Sequence, residues 1–158
     1  MAEVRWLDDS EMRAWVAFLD TSNLLQRRID AQLRKEGGVT QPQYELMTRL
    51  SEAPDGQLRM TDLAELLVMS RSGLTYQVAQ LEQRGLVRRA PAPDDDRGVL
   101  AMLSDEGRRV LRRIAPGHVQ VVRSNLIDLL NRSQLEALAD TLGVVRARLR
   151  DEARRPRA

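Results

Sequence analysis

Cysteine is absent from this chain of 158 residues, which removes disulfides, thiolate metal ligands and thiol nucleophiles from consideration. Histidine occurs once, as His118, so a histidine-rich metal site cannot be assembled, and this histidine has no evident catalytic partner in the sequence. Carboxylates alone would have to hold a metal, and no ligand loop arranges them for it. No metal or cofactor is therefore expected. Aromatic residues are few: Trp6, Trp15, Phe18, Tyr44 and Tyr76 are the whole set, so the core must be aliphatic. No run of about 18 apolar residues exists, and no basic stretch leads into an apolar segment at the N-terminus. The expectation is a soluble, cytoplasmic protein without membrane contact. No glycine-rich phosphate loop or Ser-His-Asp set appears, which speaks against an enzyme.

Lysine is almost absent as well: Lys35 stands alone among 25 basic residues, the rest being arginine. Arginine suits phosphate because its planar fork donates two parallel hydrogen bonds. Codon usage produces the same skew, so arginine content alone decides nothing. The layout of charge is more informative. Residues 58–103 balance six basic against six acidic groups, whereas residues 104–158 carry twelve against seven. Within 70–90 the charges are segregated, with Arg71, Arg84, Arg88 and Arg89 against a single acid, Glu82.

Apolar residues from Asp9 to Lys35 keep helical spacing, through Met12, Trp15, Val16, Leu19, Leu25, Ile29 and Leu33. Gly37-Gly38 ends that helix, and Thr40 with Gln43 is spaced as a capping box for the next. This second helix stops before the turn Ala53-Pro54-Asp55-Gly56. Leu58-Arg59-Met60 can add a strand beside a later hairpin. Thr61 is expected to cap a third helix with Asp62 in its first turn, and Ser70 or Ser72 to open a fourth. Hairpin strands are expected at Leu86–Ala90 and Val99–Leu103, with Pro91 and Pro93 keeping the tip out of the sheet. A fifth helix should start at Ser104-Asp105-Glu106 and run to about Leu130, kinked at Pro116-Gly117. Ser133 with Glu136 reads as the capping box of a last helix.

The segment Ser70 to Leu103, SRSGLTYQVAQLEQRGLVRRAPAPDDDRGVLAML, preceded by TDLAELL, is two helices with a tight turn followed by a hairpin. That is a helix-turn-helix with a wing, a design for lying on DNA. At 100° per residue, Leu74, Val78 and Leu81 share one face of the fourth helix and must pack inward. Ser72, Tyr76, Ala79, Gln80 and Gln83 occupy the opposite face, which is polar, uncharged and mostly short, as base edges in the major groove require. The N-terminal residues of such a helix approach closest, which singles out Ser72, Thr75 and Tyr76. Ser70 and Arg71 suit phosphate. Alternation sends Arg88 and Arg89 to opposite faces of their strand, so one of the two is expected to reach a phosphate.

On these residues the chain resembles the MarR family of winged-helix transcription regulators, over roughly Leu19 to Leu149 and most closely over Met60–Leu103. The resemblance implies a mainly α fold with a small β-hairpin wing. It divides the chain into an N-terminal dimerisation helix (1–38), a winged helix-turn-helix (39–103) and C-terminal dimerisation helices (104–158). The family's wing carries an Asp-x-Arg pattern, here Asp95-Asp96-Arg97. This implies that Asp95 braces an arginine while Arg97 enters the minor groove, where narrow A·T-rich stretches concentrate negative potential. A homodimer, a pseudo-palindromic operator and repression relieved by a small aromatic or amphipathic effector are further implications. Trp15, Tyr44, Met47 and His118 lie on helices that can line an effector crevice, though each also reads as an ordinary core or surface residue. The arginines 108, 109, 112 and 113 form a broad charged side of the fifth helix that either grazes DNA or is simply solvated. The competing reading is a winged-helix module for protein contacts, with no DNA target.

Overall fold

The computed structural model describes residues 4–93 and 95–154, with the backbone alone at 96, 97, 153 and 154. The chain divides into two compact units, Met1–Val121 and Val122–Ala158. The first begins with α1 (Asp9–Gly37), opened by a capping box the sequence reading did not identify: Asp8 accepts from Ser10 N and Glu11 N, and Glu11 accepts from Asp8 N. Two of the last-turn residues of α1 are basic, and Gly38 closes the helix in the left-handed conformation at φ 64°. The expected Thr40–Gln43 box opens α2 (Gln41–Glu52). A single 3-10 turn at Pro54–Gly56 leads into β1 (Gln57–Arg59) and α3 (Met60–Leu67).

Helix α4 (Arg71–Gln83) follows α3 across a short turn, capped by Ser70, whose Oγ accepts from Gly73 N at 3.1 Å. Then come β2 (Val87–Ala92), β3 (Asp95–Leu103) and α5 (Asp105–Asn125), which starts on Ser104. The three strands form one antiparallel sheet in the order β1-β3-β2, with Leu58 opposite Ala101 and Val87 opposite Leu103. The core is aliphatic as expected, built on Leu33, Leu46, Met47, Leu50, Leu63, Leu74, Leu81 and Ile114, all essentially without exposed surface. At roughly 1.5–3 kcal/mol per fully buried side chain, this set carries most of the driving force for closing the unit.

Several local expectations are corrected. Thr61 does not cap α3; Arg59 holds that position without a side-chain bond, and the Thr61 hydroxyl donates to Asp62 Oδ1. The strand expected at Leu58-Arg59-Met60 spans Gln57–Arg59 instead, ending one residue earlier because Met60 already belongs to α3. Pro91 does not leave the sheet but pairs with Val99 inside β2, before a register shift brings Ala92 opposite Asp95. An edge strand tolerates a missing N–H on its outer side, and β2 is an edge strand. Helix α5 stops at Asn125, not near Leu130, because Leu126 leaves helical geometry at φ −143° and a separate turn forms at Ile127–Leu129. Pro116 lies inside α5 as anticipated.

In the second unit α6 (Arg132–Arg154) is capped by Asn131 rather than by Ser133 and Glu136. Asn131 Oδ1 accepts from Gln134 N at 3.0 Å and Gln134 Oε1 from Asn131 N at 2.9 Å, while Glu136 pairs with Arg132. The box pattern recurs two residues upstream, where asparagine competes well as a cap.

Candidate nucleic-acid interface

Helix α4 is oriented as its periodicity requires. Leu74, Val78 and Leu81 are buried, whereas Ser72, Thr75 and Tyr76 are exposed, Tyr76 at 62%. Gln80 and Ala79, further along, are half-buried. The outer face is thus exposed over its N-terminal half, beside the exposed Ser70 and Arg71, and again at Gln83 at the far end of the helix. The Thr75 hydroxyl donates back to Arg71 O at 2.8 Å, leaving its lone pairs outward.

The charges around this face sort into engaged and available groups. Arg89 lies on the same side of β2 as the buried Val87, toward α4, and donates to Glu82 through Nε at 2.9 Å and Nη2 at 2.6 Å. That hydrogen bond holds the Glu82 carboxyl below its usual pKa, with a smaller lowering from the Arg89 backbone N–H. Arg88 projects from the opposite side of the strand and is exposed, with no partner among the described residues. Arg84, one of the four segregated arginines, turns away and binds the main chain of α1.

At the wing, Asp95 Oδ2 accepts from Arg59 Nη1 at 3.1 Å. One arginine paired with Asp95 therefore comes from β1, a partner that the sequence reading missed. Gly98 makes room for the pair: a Cβ there would stand 2.6 Å from Arg59 Nη1 and 2.9 Å from Asp95 Oδ2. Arg97 falls on β3, and its side chain, like that of Asp96, lies outside the described residues, as does Asp94 altogether. Between wing and recognition helix runs a shallow groove lined by Arg59, Thr61, Thr75, Arg89, Asp95 and Gly98. The two guanidinium groups in this concave strip carry N–H donors of the kind a phosphodiester strand needs, whereas the Thr61 and Thr75 hydroxyl protons are already spent on Asp62 and Arg71 O.

The residues expected at an effector crevice are only partly brought together. Tyr44 and His118 meet with ring centroids 4.6 Å apart and planes tilted by 44°. Burial pushes the Tyr44 phenol up and the His118 imidazole down, the latter opposed by the charge of Glu45. His118 Nδ1 and Gln32 Oε1 are buried with no hydrogen-bond partner among the described residues. Met47, by contrast, is a fully buried core residue. Trp15 stacks on Phe18 at 6.3 Å on an exposed stretch of α1. Gln32 packs on Gly117 beside His118, and Trp15 lies about 25 Å farther along the helix.

The arginines of α5 are dispersed rather than massed. Arg108 packs its guanidinium over Gly56, Arg109 pairs with Glu106 at 2.6 Å, and Arg113 donates to Glu36 O at 3.3 Å. Among the described residues no cluster of three metal-ligating side chains occurs, and no helix is long and apolar enough to cross a membrane.

Comparison with known proteins agrees with this geometry. The sequence model of the MarR family matches residues 39–99, which run from the start of α2 into the wing. Sco3205, a MarR family transcriptional regulator from Streptomyces coelicolor whose crystal structure is in complex with DNA, is 41% identical, covers 92% of this chain and 91% of its own, and superposes with a TM-score of 0.88. AbsC, a MarR family regulator from the same organism, is 36% identical over 94% of this chain and 99% of its own, with a TM-score of 0.90. An uncharacterized HTH-type transcriptional regulator of Bacillus subtilis, YfiV, is 27% identical over 68% of this chain; the match spans 65% of that protein, just under two thirds of its length.

Proposed function

The chain belongs to the MarR family of transcriptional regulators, and on that premise we propose that it binds a pseudo-palindromic operator in double-stranded DNA as a homodimer. It is a regulator and not an enzyme. One observation carries the reading: the exposed N-terminal half of α4 and the wing flank a common groove that holds the guanidinium groups of Arg59 and Arg89. Ser72, Thr75 and Tyr76 read base edges in the major groove, with Gln80 at the margin. Ser70 and Arg71 take phosphates, and of the two strand arginines it is Arg89 that does so from the groove, exchanging Glu82 for the DNA backbone, while Arg88 faces away from α4. Asp95 orients the wing through Arg59, and Arg97 probes the minor groove.

The exposed apolar face of α1, from Met12 through Trp15 and Phe18 to Leu24, supports the homodimer. The long helices at both ends of the chain serve as dimerisation segments on either side of the winged region at 39–103. Two-fold symmetry then presents two recognition helices about one DNA turn apart, roughly 10 base pairs. The protein works in the cytoplasm, where its operator is. It acts as a repressor, and a small aromatic or amphipathic effector at Tyr44 and His118, whose Nδ1 lacks a partner, releases it.

Selection of bound duplexes from a random library, followed by affinity measurements as salt rises, tests the reading. Phosphate engagement should lower the affinity by orders of magnitude between about 50 and 200 mM salt. Arg97→Ala should weaken binding and flatten preference for A·T flanks while the dimer persists. A flat salt response with no selected sequence would favour a protein-contact module instead.

A further inference from the structure

The C-terminal end of α1 is where three helices of the first unit meet. A helix ends in backbone carbonyls without intrahelical partners, and each needs a donor. Gly38 supplies one by folding its N–H back to Arg34 O at 2.9 Å, and Val39 N reaches Leu33 O. The remaining acceptors are approached from outside the helix. Arg113 of α5 donates to Glu36 O. Arg84, the residue that ends α4, lays its guanidinium across two consecutive carbonyls, Nη1 to Gly38 O at 2.7 Å and Nη2 to Gly37 O at 2.9 Å.

A two-pronged contact fixes direction as well as distance, because both N–H bonds lie in one rigid plane. The cation also sits at the negative end of the α1 dipole, where it is favoured. The acceptor side is equally confined. A Cβ at Gly38 would stand 3.1 Å from Arg84 Nη2, and one at Gly37 would stand 3.0 Å from Ile114 on α5. The end of the recognition helix is thus held to the end of α1 by two hydrogen bonds from one guanidinium, at a place where both α1 glycines are closely packed. Meanwhile α1 offers its uncovered apolar stretch, Met12 to Leu24, some turns away toward its N-terminus.

We propose that Arg84 is a positioning residue that registers the recognition helix on α1 and so sets the half-site spacing the dimer accepts. The inference rests on the reading of the chain as a dimeric DNA-binding regulator. If α1 is fixed to its counterpart in a second copy, the orientation of α4 relative to α1 determines where the second recognition helix lands. Each added base pair rotates a half-site by about a tenth of a turn. Only a helix held in a narrow angular range can discriminate one such step.

The experiment uses the duplex that the wild-type protein selects from a random library, together with versions whose spacer is lengthened or shortened by one base pair. Wild-type protein should prefer the selected spacing about tenfold over either neighbour, the scale of a single mismatch. Arg84→Ala should reduce that preference to about threefold or less, while sedimentation still shows a dimer and each half-site keeps its base preference. Arg84→Lys, with a point donor instead of a fork, should fall between the two. An Arg84 with a merely structural role would lower affinity by the same factor at every spacing, and that outcome overturns the proposal. Should Arg84→Ala not fold, the Arg84→Lys series decides by the same criterion. A wild-type protein that is monomeric or selects no duplex would overturn the underlying reading instead.

Discussion

Leucines in two regions of this molecule meet opposite fates. Leu33, Leu46, Leu50, Leu63, Leu74 and Leu81 have at most 1% of their surface exposed, whereas Leu24, Leu129, Leu142 and Leu149 expose between 39% and 71%. The buried hydrophobic residues fall between Ile29 and Ile114; none of the described residues of the second unit is buried. The winged body therefore buries most of its own apolar surface, Leu66, Val68 and Val99 being exposed exceptions, and the long helices at both ends carry apolar surface that a single copy leaves in water. Helical pattern alone does not separate the cases, since both stripes keep the same periodicity. What separates them is whether the chain folds a partner onto the stripe.

The contrast can be broken most forcefully inside the body. A Cβ at Gly107 would strike the carbonyl oxygen of Leu86, which already accepts from Ser104 N and Oγ. Backbone cannot swing aside as a flexible side chain can. Gly107→Ala should therefore destabilise the protein by about 3 kcal/mol, seen as a lower midpoint in chemical denaturation. A midpoint within error of wild type would mean that this junction of wing and α5 is far looser than the packing implies.

The opposite region should respond in the opposite way. Trp15→Glu with Phe18→Glu places two charges on the exposed face of α1, where the rings stack on each other at 6.3 Å and not on the core. The pair should abolish the dimer in sedimentation at micromolar concentration while the circular dichroism of the helices persists. A variant that still sediments as wild type would transfer the dimer surface elsewhere. Smaller effects are expected on the reading face, where Tyr76→Ala or Ser72→Ala should relax base preference by about 1–3 kcal/mol without touching stability. Both side chains are exposed and off the core, so a loss of fold would contradict their placement.

Much of the body was legible in the sequence because its signals are local. The period of Leu74, Val78 and Leu81, the Thr40–Gln43 box and the turn at Ala53-Pro54 each depend on residues a few positions apart. What escaped is long-range. Arg59 meets Asp95 across 36 positions, and Arg84 meets Gly38 across 46; nothing in either neighbourhood names the partner. Arg84 also illustrates how a charge tally misleads. It was counted with Arg71, Arg88 and Arg89 near the reading helix, yet its guanidinium serves the end of α1. Among the proposed effector residues, the encounter of Tyr44 with His118 depends on how α2 packs against α5. Met47, on the same helix as Tyr44, went to the core because its face of α2 points inward.

The smallest predicted effect lies at the seam between the two regions, where His118 follows Ile114, the last of the buried hydrophobic residues, by one helical turn. Burial against Tyr44 favours the neutral imidazole, so its pKa in the folded chain lies below the ordinary 6.5. As pH falls the unfolded chain takes up this proton first, and the native state loses ground. Stability is therefore complete above about pH 6.5 and declines below it, toward the folded-state value. Glu82 and Asp30, held low by Arg89 and Arg34, lose their contributions only at more acidic pH, through and below the ordinary carboxylate range. Because the chain has a single histidine, no other side chain of ordinary pKa titrates mainly between about pH 7.5 and about pH 5.5. Denaturation midpoints should drop across that interval in the wild type and drop less in His118→Gln. Equal drops in the two proteins would place His118 in open solvent and remove the seam from the comparison.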